Sequence, residues 1–279
     1  MDPSLHSNGS NTRSATPARP PVTGSPAAGR LDRVLYAAVN GERSAVLDVK
    51  ADELLAAPRS VAKSISAVLD RPGSGVMAHM MVDDLLRRSE LHDQLLDALG
   101  SDDPVRRAAA ARICGAARLT ESVLWISDLI HDDAPGVSDA AVRSLGKLGG
   151  RRAVEELMSS SDAIPLHRLA IALSKAASDI DIEALMRRPA SLEAAVATVL
   201  ACGLRRDVLR VPPLLGIAHD RRWPKDVRLA ACKALAIIGD RSAADGLHRL
   251  ADKDPDSDIQ GAAQRAHKRL LAKHSEGKR

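Results

Sequence analysis

Residues 102–115 read DDPVRRAAAARICG, so two acids, a proline and two arginines precede four consecutive alanines. Related stretches follow later in the chain, in APGVSDAAVRSLG, PKDVRLAACKALAIIG and DSDIQGAAQRAHK. Each of the four copies has Val or Ile, two intervening residues and then Ala-Ala. We call this Val or Ile the anchor of its copy; the anchors are Val105, Val137, Val227 and Ile259. Successive anchors are 32, 90 and 32 residues apart, and 90 is three steps of 30. A constant period near thirty predicts a repeat architecture.

The stretches between the copies have the spacing of helices. Apolar residues recur every three or four positions in LDRVLYAAV, ESVLWISDLIH and DVLRVPPLLGIAH, and no sustained two-residue alternation predicts a strand. Each repeat is therefore predicted to be a Leu-rich helix, an acidic or Pro-containing turn and an Ala-rich helix. Weaker copies, IPLHRLAIALSKAA and ASLEAAVATVLACG, keep nearly the same phase. Val76 lies 29 residues before Val105 and indicates a degenerate earlier copy.

The composition fits thin layers of helices. The 279 residues include no Phe, one Tyr and two Trp, so the 45% hydrophobic content comes mostly from Ala, Leu and Val. Of the two tryptophans, Trp125 lies in an apolar run and is predicted to be in the core, whereas Trp223 follows two arginines at a turn and is predicted to be partly exposed. The cysteines lie in helical stretches where they act as small apolar residues, which indicates a reducing cytoplasm; they are Cys114, Cys202 and Cys232.

Three segments follow from this pattern. Residues 1–30 are rich in Ser, Pro, Gly, Asn and Thr and are predicted to be a disordered tail, because they bury too little apolar surface to offset the entropy of ordering. Residues 31–272 are predicted to form the repeat domain, with its clearest repeats in 84–272, and residues 273–279 a basic flexible tail. No apolar run has the length of a membrane span and no secretory signal is evident, which predicts a cytoplasmic protein without membrane contact.

The combination of a Leu-rich helix, a D-x-x-V-R turn and an A-A-x-x-L-G helix resembles HEAT repeats, specifically the short bacterial type called phycobilisome-lyase-like. DDPVRRAAAARICG and KDVRLAACKALAIIG carry the resemblance best, whereas Ser138 and Gln260 stand where Arg is usual. The resemblance spans roughly residues 75–270 and extends more loosely from Leu31. It implies an all-α, right-handed α-solenoid of about six repeats.

Each residue of the opening stretch then has a structural role. Asp102 or Asp103 is predicted to cap the second helix of its repeat, and Pro104 to occupy the first helical turn. Val105 and the first two alanines are predicted to face the paired helix, and Arg106 to reach an acid in its own or a neighbouring turn, which would build a ladder along the stack. The glycines near the ends of the second helices are predicted to terminate them; they are Gly115, Gly146, Gly203 and Gly239.

Three His-Asp pairs are the strongest candidates for chemistry. They are His92-Asp93, His131-Asp132 and His219-Asp220. Deoxyhypusine hydroxylases, which are HEAT-type enzymes, bind a di-iron centre through His-Glu pairs on symmetric repeats. The pairs in this chain are His-Asp, number three and occupy unequal repeat positions, which favours a role at helix ends. Phosphate loops, nucleophile elbows and zinc spacings are missing from the sequence, so no catalytic residue, metal or cofactor is predicted.

One functional signal comes from the second helices, which line the inner, concave face of such solenoids. Their outward positions are mainly basic, with Asp139 and Glu193 as the few acids between them. This stripe predicts a groove for an acidic peptide or helix, the alternative being a solvated face. The predicted partner-binding residues are Arg107, Arg112, Arg143, Lys147, Arg168, Lys175, Lys233 and Arg265.

These observations predict a non-catalytic protein-interaction scaffold or adaptor that binds its partner on the concave face. A nucleic-acid-binding HEAT solenoid, DNA-glycosylase-like or RNA-binding, is the alternative. The net charge of +4 divides into +2 in residues 1–30, +5 in residues 260–279 and −3 between them, and the aromatic residues are scattered, which argues against base stacking. A metal-dependent HEAT enzyme and a bilin-lyase-like protein form a third class.

Overall fold

The computed structural model describes residues 26–40, 47–72 and 75–276, and the regular structure in these ranges is helical. The helices, which are joined by turns and four short 3-10 segments, are α1 Pro26–Val39, α2 Ala51–Leu55, α3 Pro58–Leu69, α4 Gly75–Arg88, α5 Leu91–Leu99, α6 Pro104–Ala117, α7 Val123–Asp128, α8 Pro135–Leu148, α9 Gly150–Ser159, α10 Leu166–Ala176, α11 Asp179–Arg187, α12 Leu192–Arg205, α13 Val211–His219, α14 Lys225–Ile238, α15 Ala244–Lys253 and α16 Ser257–Glu276.

The helices form two layers. In the inner layer α3, α6, α8, α10, α12, α14 and α16 pack against one another in that order. In the outer layer α5, α7, α9, α11, α13 and α15 each pack against the inner helix that follows them in the chain. From α5 to α16 this gives six helix pairs, and most of their Leu, Val, Ile and Ala residues are buried. The predicted all-α solenoid of about six repeats is confirmed.

The N-terminal part departs from the predicted plan. The inner position before α6 is taken by α3, whereas α4 packs against α1 and α5. Val76 lies in α4 and not in the inner helix before α6, so the degenerate copy predicted at this residue is wrong. Helix α1 begins at Pro26 and buries Ala27 and Ala28, so the last five residues of the predicted tail are helical and the remainder of that tail lies outside the described residues.

The C-terminal boundary also differs from the prediction. Helix α16 continues to Glu276, so the backbone of residues 273–276, assigned to a flexible tail, is helical. The last three residues, 277–279, lie outside the described part of the chain.

The register between the first two clear repeats is 31 residues and not 32, because α6 begins at Pro104 and α8 at Pro135. Val137 is buried at 1% exposure, but Val105 is 72% exposed, so the prediction that Val105 faces the paired helix is wrong. With this shift Arg107, rather than Arg106, corresponds to Ser138. The same shift aligns Arg112 with Arg143, three residues before a glycine in each helix.

At two of these corresponding positions, Arg107 and Arg228, an arginine joins its repeat to the next one, and we call these two pairs the arginine ladder. The Arg107 Nε and Nη2 atoms lie 2.7 and 3.0 Å from the two carboxylate oxygens of Asp132, in the turn of the next repeat. The hydrogen bond from Arg107 lowers the pKa of Asp132, and the backbone N–H of Ala134 adds to the effect. Arg228 and Asp254 repeat this arrangement near the C-terminus. Arg106, expected in the ladder, contacts Asp52 instead, at 2.6 Å.

Three of the glycines predicted to end helices lie inside them. A Cβ atom on Gly115 would come within 2.6 Å of the Ser144 Cβ, and the next inner helix is similarly close at Gly146 and Gly203. These glycines therefore permit close approach of inner helices, and only Gly239 among the four ends its helix with a positive φ, of 75°. Helix α6 ends at Ala117 and is capped by Arg118, which adopts a φ of 56°.

Other local predictions have mixed outcomes. The carboxylate of Asp103 accepts the backbone N–H of Val105 at 2.9 Å, and Pro104 is the first residue of α6, so the predicted cap is confirmed. Trp125 is exposed, and its predicted place in the core is wrong. Trp223 is partly buried against the core, as predicted.

Candidate binding groove

The inner face contains a groove of about 1080 Å³ between α3, α6, α8 and α10. Eight cationic and two acidic side chains line it, which gives a net charge of +6 with its histidine neutral. The acids are Asp70 and Asp139. We call this cavity the basic groove; its cations are Arg59, Lys63, Arg71, Arg112, Arg143, Lys147, Arg168 and Lys175.

The structure brings together five of the eight residues predicted to bind a partner, namely Arg112, Arg143, Lys147, Arg168 and Lys175. The other three lie elsewhere. Arg107 is held in the ladder by Asp132, so its assignment to the groove is corrected. Lys233 lines a separate cavity, and Arg265 is exposed on α16, outside both cavities.

Three cations of the basic groove were missed by sequence reasoning, because α3 precedes the recognisable repeats. They are Arg59, Lys63 and Arg71. The stretch PRSVAKSISAVL nevertheless carries a signal: Arg59 and Lys63 are four residues apart and share one helical face, while Val61 and Ile65 are buried on the other. An amphipathic helix with a basic exposed face was therefore readable before its position in the stack was known.

Six of the cations make no ion pair with a carboxylate in the described ranges; they are Arg59, Lys63, Arg71, Arg112, Lys147 and Lys175. Arg112 donates only to the carbonyl of Ala108, at 3.3 Å, and the ammonium of Lys147 reaches the Ser66 hydroxyl at 3.3 Å. The acid Asp139 is shared, at 2.9 Å from Arg143 and 3.0 Å from Arg168. The basic groove therefore holds more cations than its own carboxylates neutralise.

The electrostatics of the basic groove favour an anion. Partial burial lowers the pKa of Arg112, and the nearby Arg59 and Arg143 lower it further against the opposing effect of Asp139. Burial likewise lowers the pKa of Lys147, and Lys175 adds to this effect. These directions mean that the like charges repel one another in a partly desolvated site. A negatively charged ligand would relieve that repulsion.

A second cavity of about 350 Å³ lies farther along the inner face, on α10, α12 and α14. Its charged residues are Glu193, Asp226 and Lys233. The remainder of its lining is apolar, and we call it the apolar groove; these residues are Leu166, Leu192, Val196, Leu200, Leu229 and Ala230.

The His-Asp pairs do not converge on one site. His92 is buried with its Nδ1 2.8 Å from the Asp93 carboxylate, His131 Nε2 lies 3.3 Å from the Ser160 hydroxyl, and His219 Nε2 lies 3.1 Å from the Gly246 carbonyl. Within the ranges that the structure describes, no group of three or more His, Cys, Asp or Glu side chains is arranged to hold a metal ion. His131 and His219 are the last residues of their helical segments.

We expect the three cysteines to be unreactive in the folded protein. Burial raises the pKa of the Cys114 thiol to about 12 and those of Cys202 and Cys232 to about 11. Because the thiolate is the nucleophile, Ellman's reagent at pH 8 should modify the native chain at least about 100-fold more slowly than the chain in denaturant. Rapid labelling of any one thiol in the native protein would contradict this.

Across the described helices, none is long and apolar enough to cross a membrane. No curated protein sequence matches the chain.

Among solved structures, human deoxyhypusine hydroxylase in complex with glycerol is similar at 17% identity, over 88% of this chain and 97% of that chain, with a TM-score of 0.35. The complex of CpcE and CpcF of phycocyanin lyase from Nostoc sp. PCC7120 is similar at 17% identity, over 76% and 92%, with a TM-score of 0.33. The family model for HEAT repeats matches residues 92–175 and 181–268, more than half of the chain. This protein therefore belongs to the HEAT-repeat family.

Proposed function

We propose that this protein is a non-catalytic interaction module, acting in the cytoplasm, that binds an acidic protein segment in the basic groove. The observation that carries the proposal is the set of six groove cations that have no carboxylate partner among the described residues. When two binding surfaces carry complementary charges, their association is faster and more specific. HEAT repeats commonly mediate protein interaction, and stacked repeats present an extended inner face suited to a linear partner.

The lining of the basic groove favours a protein segment over a nucleic acid. Ile171 is exposed and lines it together with Ala67 and Pro72, so the groove offers apolar surface as well as cations. No Phe, Tyr or Trp is among its lining residues, whereas proteins that hold single-stranded nucleic acids use aromatic rings as stacking platforms. An acidic helix with some apolar side chains matches both features.

Replacing Lys63, Lys147 and Lys175 together by Glu should abolish binding of an acidic peptide while leaving the fold intact. These lysines are exposed and have no ion-pair partner in the part of the chain that the structure describes, and such surface changes alter stability by no more than about 0.5 kcal/mol each. Reversal of three charges in one groove should weaken binding at least about 100-fold. Fluorescence anisotropy with a labelled, glutamate-rich helical peptide measures the affinity, and circular dichroism the folding.

The matched control reverses three exposed charges that lie outside the basic groove and form no ion pair among the described residues, with Arg152, Arg221 and Arg249 changed to Glu. It makes the same change in net charge and should keep the peptide affinity within a few-fold. Equal losses in both triple variants would show that the basic groove is not the site. Stronger binding of single-stranded DNA than of the peptide at equal salt would overturn the choice of a protein partner.

A further inference from the structure

The basic groove and the apolar groove are neighbours, because α10 contributes to both. Leu166, in its first turn, lines the apolar groove, while Arg168 and Lys175 line the basic groove. Helix α10 packs against α8 on one side and α12 on the other. A ligand that lies along the inner face therefore passes from one groove into the other.

The two grooves differ in chemistry. Leu166 and Leu192 in the apolar groove remain 39% and 41% exposed, so part of this apolar surface meets water. Glu193 and Asp226 at the same groove outnumber Lys233, and they repel an acidic ligand. The continuation of an acidic segment into this groove must therefore be apolar rather than acidic.

Building on the proposed function, we propose that the partner is a bipartite segment, with acidic residues in the basic groove and large apolar side chains in the apolar groove. Inner helices are spaced by roughly 8–10 Å, so α8 and α12 are roughly 16–20 Å apart. About 11–13 residues of α-helix cover that length at 1.5 Å per residue. One short amphipathic helix thus reaches from the basic groove into the apolar groove.

The charge of the chain's own ends excludes them as this ligand. Residues 1–25 carry Arg13 and Arg19 against Asp2, and the last three residues carry two cations and no acid. Neither end supplies the acidic half that the basic groove requires. We therefore take a segment of another protein as the occupant.

Joining the two halves should strengthen binding. Once the acidic half is bound, the apolar half meets its groove at an effective concentration in the millimolar range. We expect a joined peptide of about 15 residues to bind at least 10-fold more tightly than an equally long peptide whose apolar half is replaced by Ser and Gln. The joined peptide is tested with the acidic half first and with the apolar half first, because a helix can lie in the groove in either direction. At least one of the two peptides must show the gain in affinity.

The protein variant that isolates the apolar groove is Leu166→Gln with Leu192→Gln. It should lower the affinity of the joined peptide to that of the acidic-only peptide and leave the acidic-only affinity unchanged. The matched control, Ile180→Gln with Leu209→Gln, removes two exposed apolar side chains outside both grooves and should change neither affinity.

The outcomes separate the two proposals. Equal affinities of the joined and acidic-only peptides overturn the bipartite partner and leave the acidic-segment proposal standing. A gain that survives in Leu166→Gln/Leu192→Gln also overturns it, because the apolar half would then bind elsewhere. If none of the peptides binds, the proposed function itself is refuted.

Discussion

Replacing Asp254 by Ala should lower the free energy of unfolding by roughly 3–5 kcal/mol. Asp254 and its partner Arg228 are 3% and 7% exposed in their side chains, so the ion pair is shielded from water. The Arg228 Nε also donates to the Ala218 carbonyl at 2.9 Å, which holds the guanidinium in place. Loss of the carboxylate would leave a buried positive charge without a counter-ion. Urea titration monitored by circular dichroism measures the change.

A double variant tests whether the uncompensated charge causes this loss. Arg228→Met combined with Asp254→Asn removes both charges but keeps an oxygen that can accept the Asp256 N–H, now bonded to Asp254 at 3.0 Å. It should recover most of the stability, because apolar replacement of a buried pair is often neutral. Arg151→Ala, which breaks an exposed pair, should have no measurable effect. If Asp254→Ala is equally harmless, the ladder does not stabilise the stack.

Gly115→Ala should destabilise the protein by about 1–3 kcal/mol, although alanine is the better helix former. The added Cβ would lie 2.6 Å from the Ser144 Cβ and 2.7 Å from its Cα. Two carbon atoms that are not bonded to each other cannot come so close. Because one of these atoms belongs to the backbone, α6 and α8 must separate. That movement carries Arg112 away from Arg143, so the affinity for an acidic peptide should also fall.

The matched control is Gly216→Ala in α13, where a Cβ atom would have no neighbour within 4 Å. It should stabilise the chain by about 0.5–1 kcal/mol, which is the usual gain for this change inside a helix. Differential scanning calorimetry of both variants gives the comparison. A Gly115→Ala protein as stable as Gly216→Ala would show that the inner helices are not in close contact at this point.

The residues of the basic groove could be predicted in part from the sequence, and the errors in that prediction have a physical cause. The residues Arg112 and Arg143 were identified because they lie on Ala-rich helices whose inner position follows from the repeat plan. Arg107 was misplaced by the one-residue error in register. Lys233 has the same repeat phase as Arg143, yet α10 and α12 stand between α8 and α14, so the two cations line different grooves.

The sequence by itself determined the helical type of the elements, their pairing into repeats and the basic character of the inner face. These properties depend on local propensity and on a period that recurs along the chain, so each copy reinforces the others. It also determined the cap at Asp103 and the proline that starts α6, because such interactions span only a few residues.

The rotation of each helix was decided by tertiary packing alone. Four consecutive alanines, residues 108–111, are all buried and have no preferred face, so the apolar pattern of α6 fits more than one register. In the observed packing Gly115 lies against Ser144, and Val105 is left in solvent. The placement of α3 beside α6, which completes the basic groove, likewise depends on contacts between residues far apart in the chain, and no local pattern encodes them.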